Sequence, residues 1–194
     1  MFSQEIGTSR SLLELLEEKR SQRRNYENKN FITIYDARQV VTRNRIFNWS
    51  TEHPLCQAHK MECPDKANLV DDILKNNILV FAVLVFARLE LLMEKLLKNK
   101  SDDRMLFHDP HFQEICRSAG LSDAEEMRFD DHRSSVGVIF SNQRILSLSQ
   151  KATLPFVSRE RKANGSYGDI FRIQLPATNP RAQPNADVRC YPTC

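Results

Sequence analysis

Glycine is scarce in this chain, with five in 194 residues. Glycine weakens helix interiors, so its shortage suits a helix-rich fold. From Lys66 to Lys98 neither glycine nor proline occurs. A long apolar run is missing too. The longest, Ile78-Leu79-Val80-Phe81-Ala82-Val83-Leu84-Val85-Phe86-Ala87, is ten residues, where a membrane-spanning helix needs about 20. Arg88, Glu90, Glu94 and Lys95 follow at once, so a helix buried on several sides is expected and no membrane association. An excess of one charge is also lacking. The formal net charge of +3 is too small for the basic surface that nucleic acid selects. Met1-Phe2-Ser3-Gln4-Glu5-Ile6 has neither the basic start nor the apolar stretch of an export signal.

The five cysteines, Cys56, Cys63, Cys116, Cys190 and Cys194, are odd in number and irregularly spaced. They read as reduced thiols, which places the protein in the cytoplasm or nucleus. Without export, the sequons at Asn48-Trp49-Ser50 and Asn164-Gly165-Ser166 carry no meaning. Tyr191 stands fourth from the end, so the terminal cysteines form no prenylation box.

What remains is mostly helical in pattern. Ser9 to Arg24 reads as a first helix, with Leu12, Leu13, Leu15 and Leu16 as its apolar stripe. Ser11 and Glu14 stand at capping-box spacing, and the basic run Lys19 to Arg24 suits the negative end of the helix. Phe31 to Tyr35 is β-prone. Asp36 then caps a second helix reaching Trp49, with Val40, Val41, Ile46, Phe47 and Trp49 on its core side. Ser50 to Pro64 reads as a loop. The strongest element is a single long helix from about Lys66 to Lys98 around the apolar run. A short helix from Asp109 to Ala119 stops at Gly120, and Ser122 with Glu125 opens another to about Arg133. Val136 to Phe140 is a strand or a helix end, Ser141 to Thr153 a connection. The four prolines of the tail, Pro176, Pro180, Pro184 and Pro192, point to disorder.

Between connection and tail lies Leu154-Pro155-Phe156, then Lys162-Ala163-Asn164-Gly165-Ser166-Tyr167-Gly168-Asp169-Ile170-Phe171-Arg172-Ile173. This reads as strand, glycine turn and strand. It resembles the glycine-rich loop that opens a protein kinase domain, in which an aromatic precedes the last glycine. Together with its upstream helices, the segment is similar to fungal serine/threonine protein kinases that carry a helical leader. In that group a Leu-Pro-Phe step precedes the glycine hairpin. Val80-Phe81-Ala82-Val83-Leu84 and Val138-Ile139-Phe140-Ser141 also look like that leader, so the resemblance covers about Phe31 to Pro176. It implies nucleotide contacts from Ala163, Gly165, Ser166, Tyr167, Gly168 and Ile170, with Tyr167 at the loop tip and Ile170 over the base. Full-length relatives would use ATP and magnesium to phosphorylate Ser or Thr.

The departures are chemical. Ala163 replaces the first glycine, Lys162 stands where an apolar residue covers the adenine, and Asp169 adds a negative charge beside the tip. The last lysine is Lys162, so the strand-three lysine is missing, and no catalytic-loop or metal-binding residue can be assigned. The chain is therefore expected to be a truncated, non-catalytic, protein kinase-like protein that needs no cofactor of its own. An isolated two-stranded hairpin is marginal in water.

Other constellations are weaker. His53, Cys56, His59 and Cys63 fall within eleven residues and can all bind zinc. Structural sites usually place two short pairs on separate elements, so incidental loop residues are expected. His108, Asp109, His111 and Cys116 read as a helix start and a buried thiol, and Asp130-Asp131-His132 as a helix end.

The expected architecture is mainly α: an N-terminal helix or arm (1–30), a helical leader domain around one long buried helix (31–150), a partial glycine-loop hairpin (151–176) and a disordered tail (177–194). Two rivals stay open. One is a helical interaction module without a nucleotide role, binding a protein partner or a second copy of itself. The other is a gene-model artefact, in which a shifted frame or missed intron has replaced the rest of a kinase.

Overall fold

The computed structural model describes residues 10–52, 63–137, 149, 152–165, 168–174 and 187–189. It is mainly helical, with eight α-helices and a small antiparallel sheet among the described residues.

Helix α1 (Leu12–Ser21) begins at the expected capping box. The Ser11 hydroxyl accepts from the Glu14 amide at 3.3 Å, and the Glu14 carboxylate accepts from the Ser11 amide at 2.8 Å. Leu16 of this helix is fully buried in the main core. Helix α2 (Ile34–Val40) starts two residues before the expected cap, because Thr33 is the cap and Asp36 closes the box from the third position. The predicted run to Trp49 is broken at Val41, whose ψ of 81° leaves the helical region. Helix α3 (Arg43–Glu52) then continues into the segment read as a loop, and helix α4 (Cys63–Asn76) begins with Pro64 in its first turn.

The predicted helix from Lys66 to Lys98 is three helices in series: α4, α5 (Ile78–Ala87) and α6 (Met93–Lys98). Asn77 makes the first break, with φ −130° and ψ 25°. Its carboxamide donates to Asp72 O at 3.4 Å and accepts from the Ser101 hydroxyl at 3.0 Å. Arg88 makes the second, in the left-handed region at φ 58°. Its amide donates to Val85 O at 3.2 Å, and the Leu89 amide reaches Leu84 O at 2.8 Å. This paired closure of a helix end normally recruits glycine. Lys100 (φ 59°) ends α6 in the same way, and Gly120 (φ 64°) ends α7 (Asp109–Ser118). Helix α8 (Asp123–His132) opens with the predicted Ser122–Glu125 box.

All ten residues of α5 are buried. The reason is its place at the centre, in contact with α1, α2, α4 and α8. A helix covered on every side has no use for a polar face. Its N-terminal amides are met from outside the helix. One carboxylate oxygen of Asp103 accepts from Leu79 N at 2.8 Å and Val80 N at 2.9 Å. Burial pushes this carboxyl up to about 7, against the pull of the two amides. Arg133, also buried, donates to Leu106 O at 2.9 Å, Asp130 at 2.8 Å and Asp109 at 2.9 Å, and lies 4.2 Å from the centre of the Phe112 ring. Among the described residues no helix is long and apolar enough to cross a membrane.

The sheet has β1 (Ser158–Gly165), β2 (Gly168–Gln174) and β3 (Asp187–Arg189), with β2 in the middle and both pairings antiparallel. Within the tail read as disordered, the described residues are those of β3.

Candidate functional site

The glycine hairpin forms as a strand, a two-residue connection and a strand. Its register sets Asn164 opposite Asp169 and Gly165 opposite Gly168, leaving Ser166 and Tyr167 between the paired glycines. Those two residues lie outside the described set, as do the side chains of Ala163 and Ile170. The strands carry the backbone of Ala163, Gly165, Gly168 and Ile170 to one end of the hairpin. Between Arg161 and Ala163 the register shifts, making Lys162 the extra residue of a β-bulge. A bulge bends its strand and increases the local twist.

At its other end the hairpin is built into the helical body. The loop after α1 is tightened by Asn25, whose side chain accepts from the Glu27 and Lys29 amides, both at 2.9 Å. That loop presents the Asn25 carboxamide to Leu154 O at 3.3 Å and the Tyr26 amide to Phe156 O at 2.9 Å. The Tyr26 ring stacks on Phe156 at 6.4 Å, and the Arg159 guanidinium lies 5.6 Å from its centre. Burial raises the Tyr26 phenol above its ordinary value, and a hydrogen bond to Glu27 adds to the effect.

Behind this contact the chain is stitched by isolated bridges, Ile32 to Val136 and Gly137 to Thr153. Of the predicted β-prone stretch Phe31 to Tyr35, Ile32 alone takes part in such a bridge. Gly137 is needed there for space. A Cβ at this position would sit 2.8 Å from Phe31 Cδ2 and 3.2 Å from Pro155 Cβ. Val138, Ile139, Phe140 and Ser141, part of the leader resemblance, lie outside the described residues.

A second feature had no signal in the sequence. An open groove of about 420 Å³ lies where the start of α1 meets the end of α5, with Leu12, Trp49, Val85, Arg88, Leu91 and Glu125 among its walls. Trp49 stands edge-on to Phe81 at 5.3 Å. The turn at Arg88 brings the wall together, and no glycine announced that turn.

The zinc candidates His53, Cys56 and His59 lie outside the described residues, as does the side chain of Cys63. Among the described residues, no three His, Cys, Asp or Glu side chains could hold a metal together. The remaining clusters are structural. His108 caps α7, its Nδ1 accepting from the His111 amide at 3.3 Å. Asp109 and Asp130 hold Arg133. Cys116 is fully buried, and burial pushes its thiol up to about 12, where a reactive thiolate is not populated.

No family model matches the chain, and no curated protein or solved structure matches it either.

Proposed function

We propose that this is a protein kinase-like chain, non-catalytic as it stands, in which a helical leader supports a glycine-loop hairpin. The register of that hairpin carries the proposal. Two glycines face each other across a two-residue connection that holds Tyr167, as the glycine-rich loop of a kinase requires. The helical body serves as the scaffold, gripping the hairpin base through Asn25, Tyr26 and Phe156. Full-length relatives would transfer phosphate from ATP to Ser or Thr with magnesium. The residues for that chemistry are not assignable among these 194.

Two measurements test the proposal. A Val-Ala-Ile-Lys-like strand in another frame of the neighbouring genomic sequence would favour the gene-model artefact over the interaction module, and its absence from every frame would remove the kinase reading. Calorimetry with ATP and magnesium is expected to give no saturable heat with the native chain. Saturable heat, strengthened by Ala163→Gly, would instead show a working nucleotide cradle. A second reading, a helical interaction module with no nucleotide role, draws on the groove at the end of α5.

A further inference from the structure

The groove between the start of α1 and the end of α5 is walled mostly by carbon. Leu12, Leu13, Trp49, Val85 and Leu91 supply apolar side chains, and its volume of about 420 Å³ suits a small ligand. Three charged residues stand in the same wall: Arg88, Glu90 and Glu125. Both acids are already engaged. Glu125 accepts from the Ser122 amide and the Ser122 hydroxyl, both at 2.8 Å, and these bonds hold its carboxyl below the ordinary glutamate value. Glu90 has an interaction of its own. Arg88 differs: it is exposed, and no hydrogen bond or ion pair within the described residues engages its guanidinium. It is also an unexpected residue for its backbone, which closes α5 at φ 58°, a conformation suited to glycine. The closure itself uses the amides of Arg88 and Leu89, so the side chain takes no part in ending the helix. A conformational cost is thus borne at the position that sets a cation in the groove wall.

We propose that this groove binds a small anionic amphiphile, a carboxylate on a short hydrocarbon chain, with its head paired to Arg88 and its chain laid against the apolar wall. A guanidinium presents a planar pair of donors that matches a carboxylate. Burying the chain against Leu13, Trp49 and Leu91 removes hydrocarbon from water and supplies the rest of the affinity. Glu125 is neutralised in part by the bonds it accepts, so it opposes the head weakly. Glu90, two residues beyond Arg88, opposes it more directly, which makes the balance between these two side chains the quantity to measure. The site lies apart from the glycine hairpin and does not depend on the kinase reading.

The test is titration of the full chain with decanoate, followed by the emission of Trp49, the single tryptophan, which stands in the groove wall. A saturable change is expected. Arg88→Gly removes the guanidinium while suiting the left-handed turn, so the variant keeps its fold, checked by thermal unfolding. It is expected to weaken decanoate binding by about tenfold, the loss of one charge-assisted pair. Arg88→Lys should retain more affinity than Arg88→Gly, and Glu90→Gln should tighten binding. Decylammonium, the same chain with the opposite charge, is expected to bind more weakly than decanoate. Absence of a saturable response to decanoate overturns the proposal. So does undiminished binding by Arg88→Gly, which would mean that the apolar wall acts alone. Decylammonium binding as tightly as decanoate also overturns it, because the two acids would then govern the groove.

Discussion

Helix α5 and strand β1 are opposites within one chain. Every residue of α5 is buried, whereas β1 exposes Ser158 through Lys162. The helix is held by apolar contact on all sides, with polar groups admitted where Asp103 and Asn77 satisfy backbone or each other's neighbours. The hairpin is held at its base by a few hydrogen bonds, one stacked ring pair and the buried Phe156 and Ile173. Cooperative stability follows buried apolar contact, so the two regions should open at different free energies.

The largest expected effect lies in the helical body. Phe81→Ala removes a fully buried ring that touches Trp49 and should cost about 3–5 kcal/mol by urea denaturation. Hydrogen exchange should then speed up in body and hairpin together. If the body amides alone respond, the body does not support the hairpin and the comparison fails.

Asp103→Ala should cost about 1–3 kcal/mol, because it orphans the buried Leu79 and Val80 amides. Its pH dependence is more telling. The folded carboxyl lies near 7, above the 3.8 of a free aspartate. The folded state therefore binds more protons between these values. Its contribution is fully present below about 4 and is lost as pH rises towards about 7. Asp103→Asn keeps an acceptor oxygen but cannot titrate, so the stability of the native chain relative to this variant should fall across that window and then level off. A constant difference from pH 4 to 7 would show that the carboxyl titrates normally.

Gly137→Ala acts on the seam between the regions. Its methyl group meets Phe31 and Pro155 at under 3.3 Å, which should cost about 1–3 kcal/mol. Here the hairpin amides should lose protection while those of α5 keep theirs, sharpening the contrast. The smallest pair of effects concerns helix ends. Nothing lies within 4 Å of a Cβ added at Gly120, so Gly120→Ala should cost about 1 kcal/mol through its positive φ alone. Arg88→Gly relieves the same conformation and should stabilise by up to about 1 kcal/mol in thermal unfolding. Opposite signs at the two sites are the expected outcome.

That last pair also marks how far the sequence was legible. The stop at Gly120 was readable because glycine is the ordinary residue for a left-handed helix end. The stops at Arg88 and Lys100 were not, since neither residue prefers that conformation and packing imposes it. The Ser11–Glu14 and Ser122–Glu125 boxes were readable as local patterns, whereas Asp36 was misplaced by three positions, since Thr33 offered the same chemistry earlier. At the candidate site, the glycine pair and its two-residue connection were visible in the sequence. Asn25 and Tyr26, which hold the hairpin base, were not, because they lie about 130 residues from their partners. The groove walled by Leu12, Trp49 and Arg88 joins three separate elements and left no local trace.

The sequence by itself determined where chains of apolar residues must be buried, which polar residues open helices, and that two glycines face each other across a turn. These are short-range matters, decided by backbone sterics, capping chemistry and the spacing of side chains. Tertiary structure alone decided that the long apolar stretch breaks at Asn77 and Arg88, that Asp103 meets the start of α5, and that Tyr26 seats the hairpin. Each brings together groups distant in the chain, and each arises because buried backbone amides and carbonyls must find partners wherever the packed core can supply them.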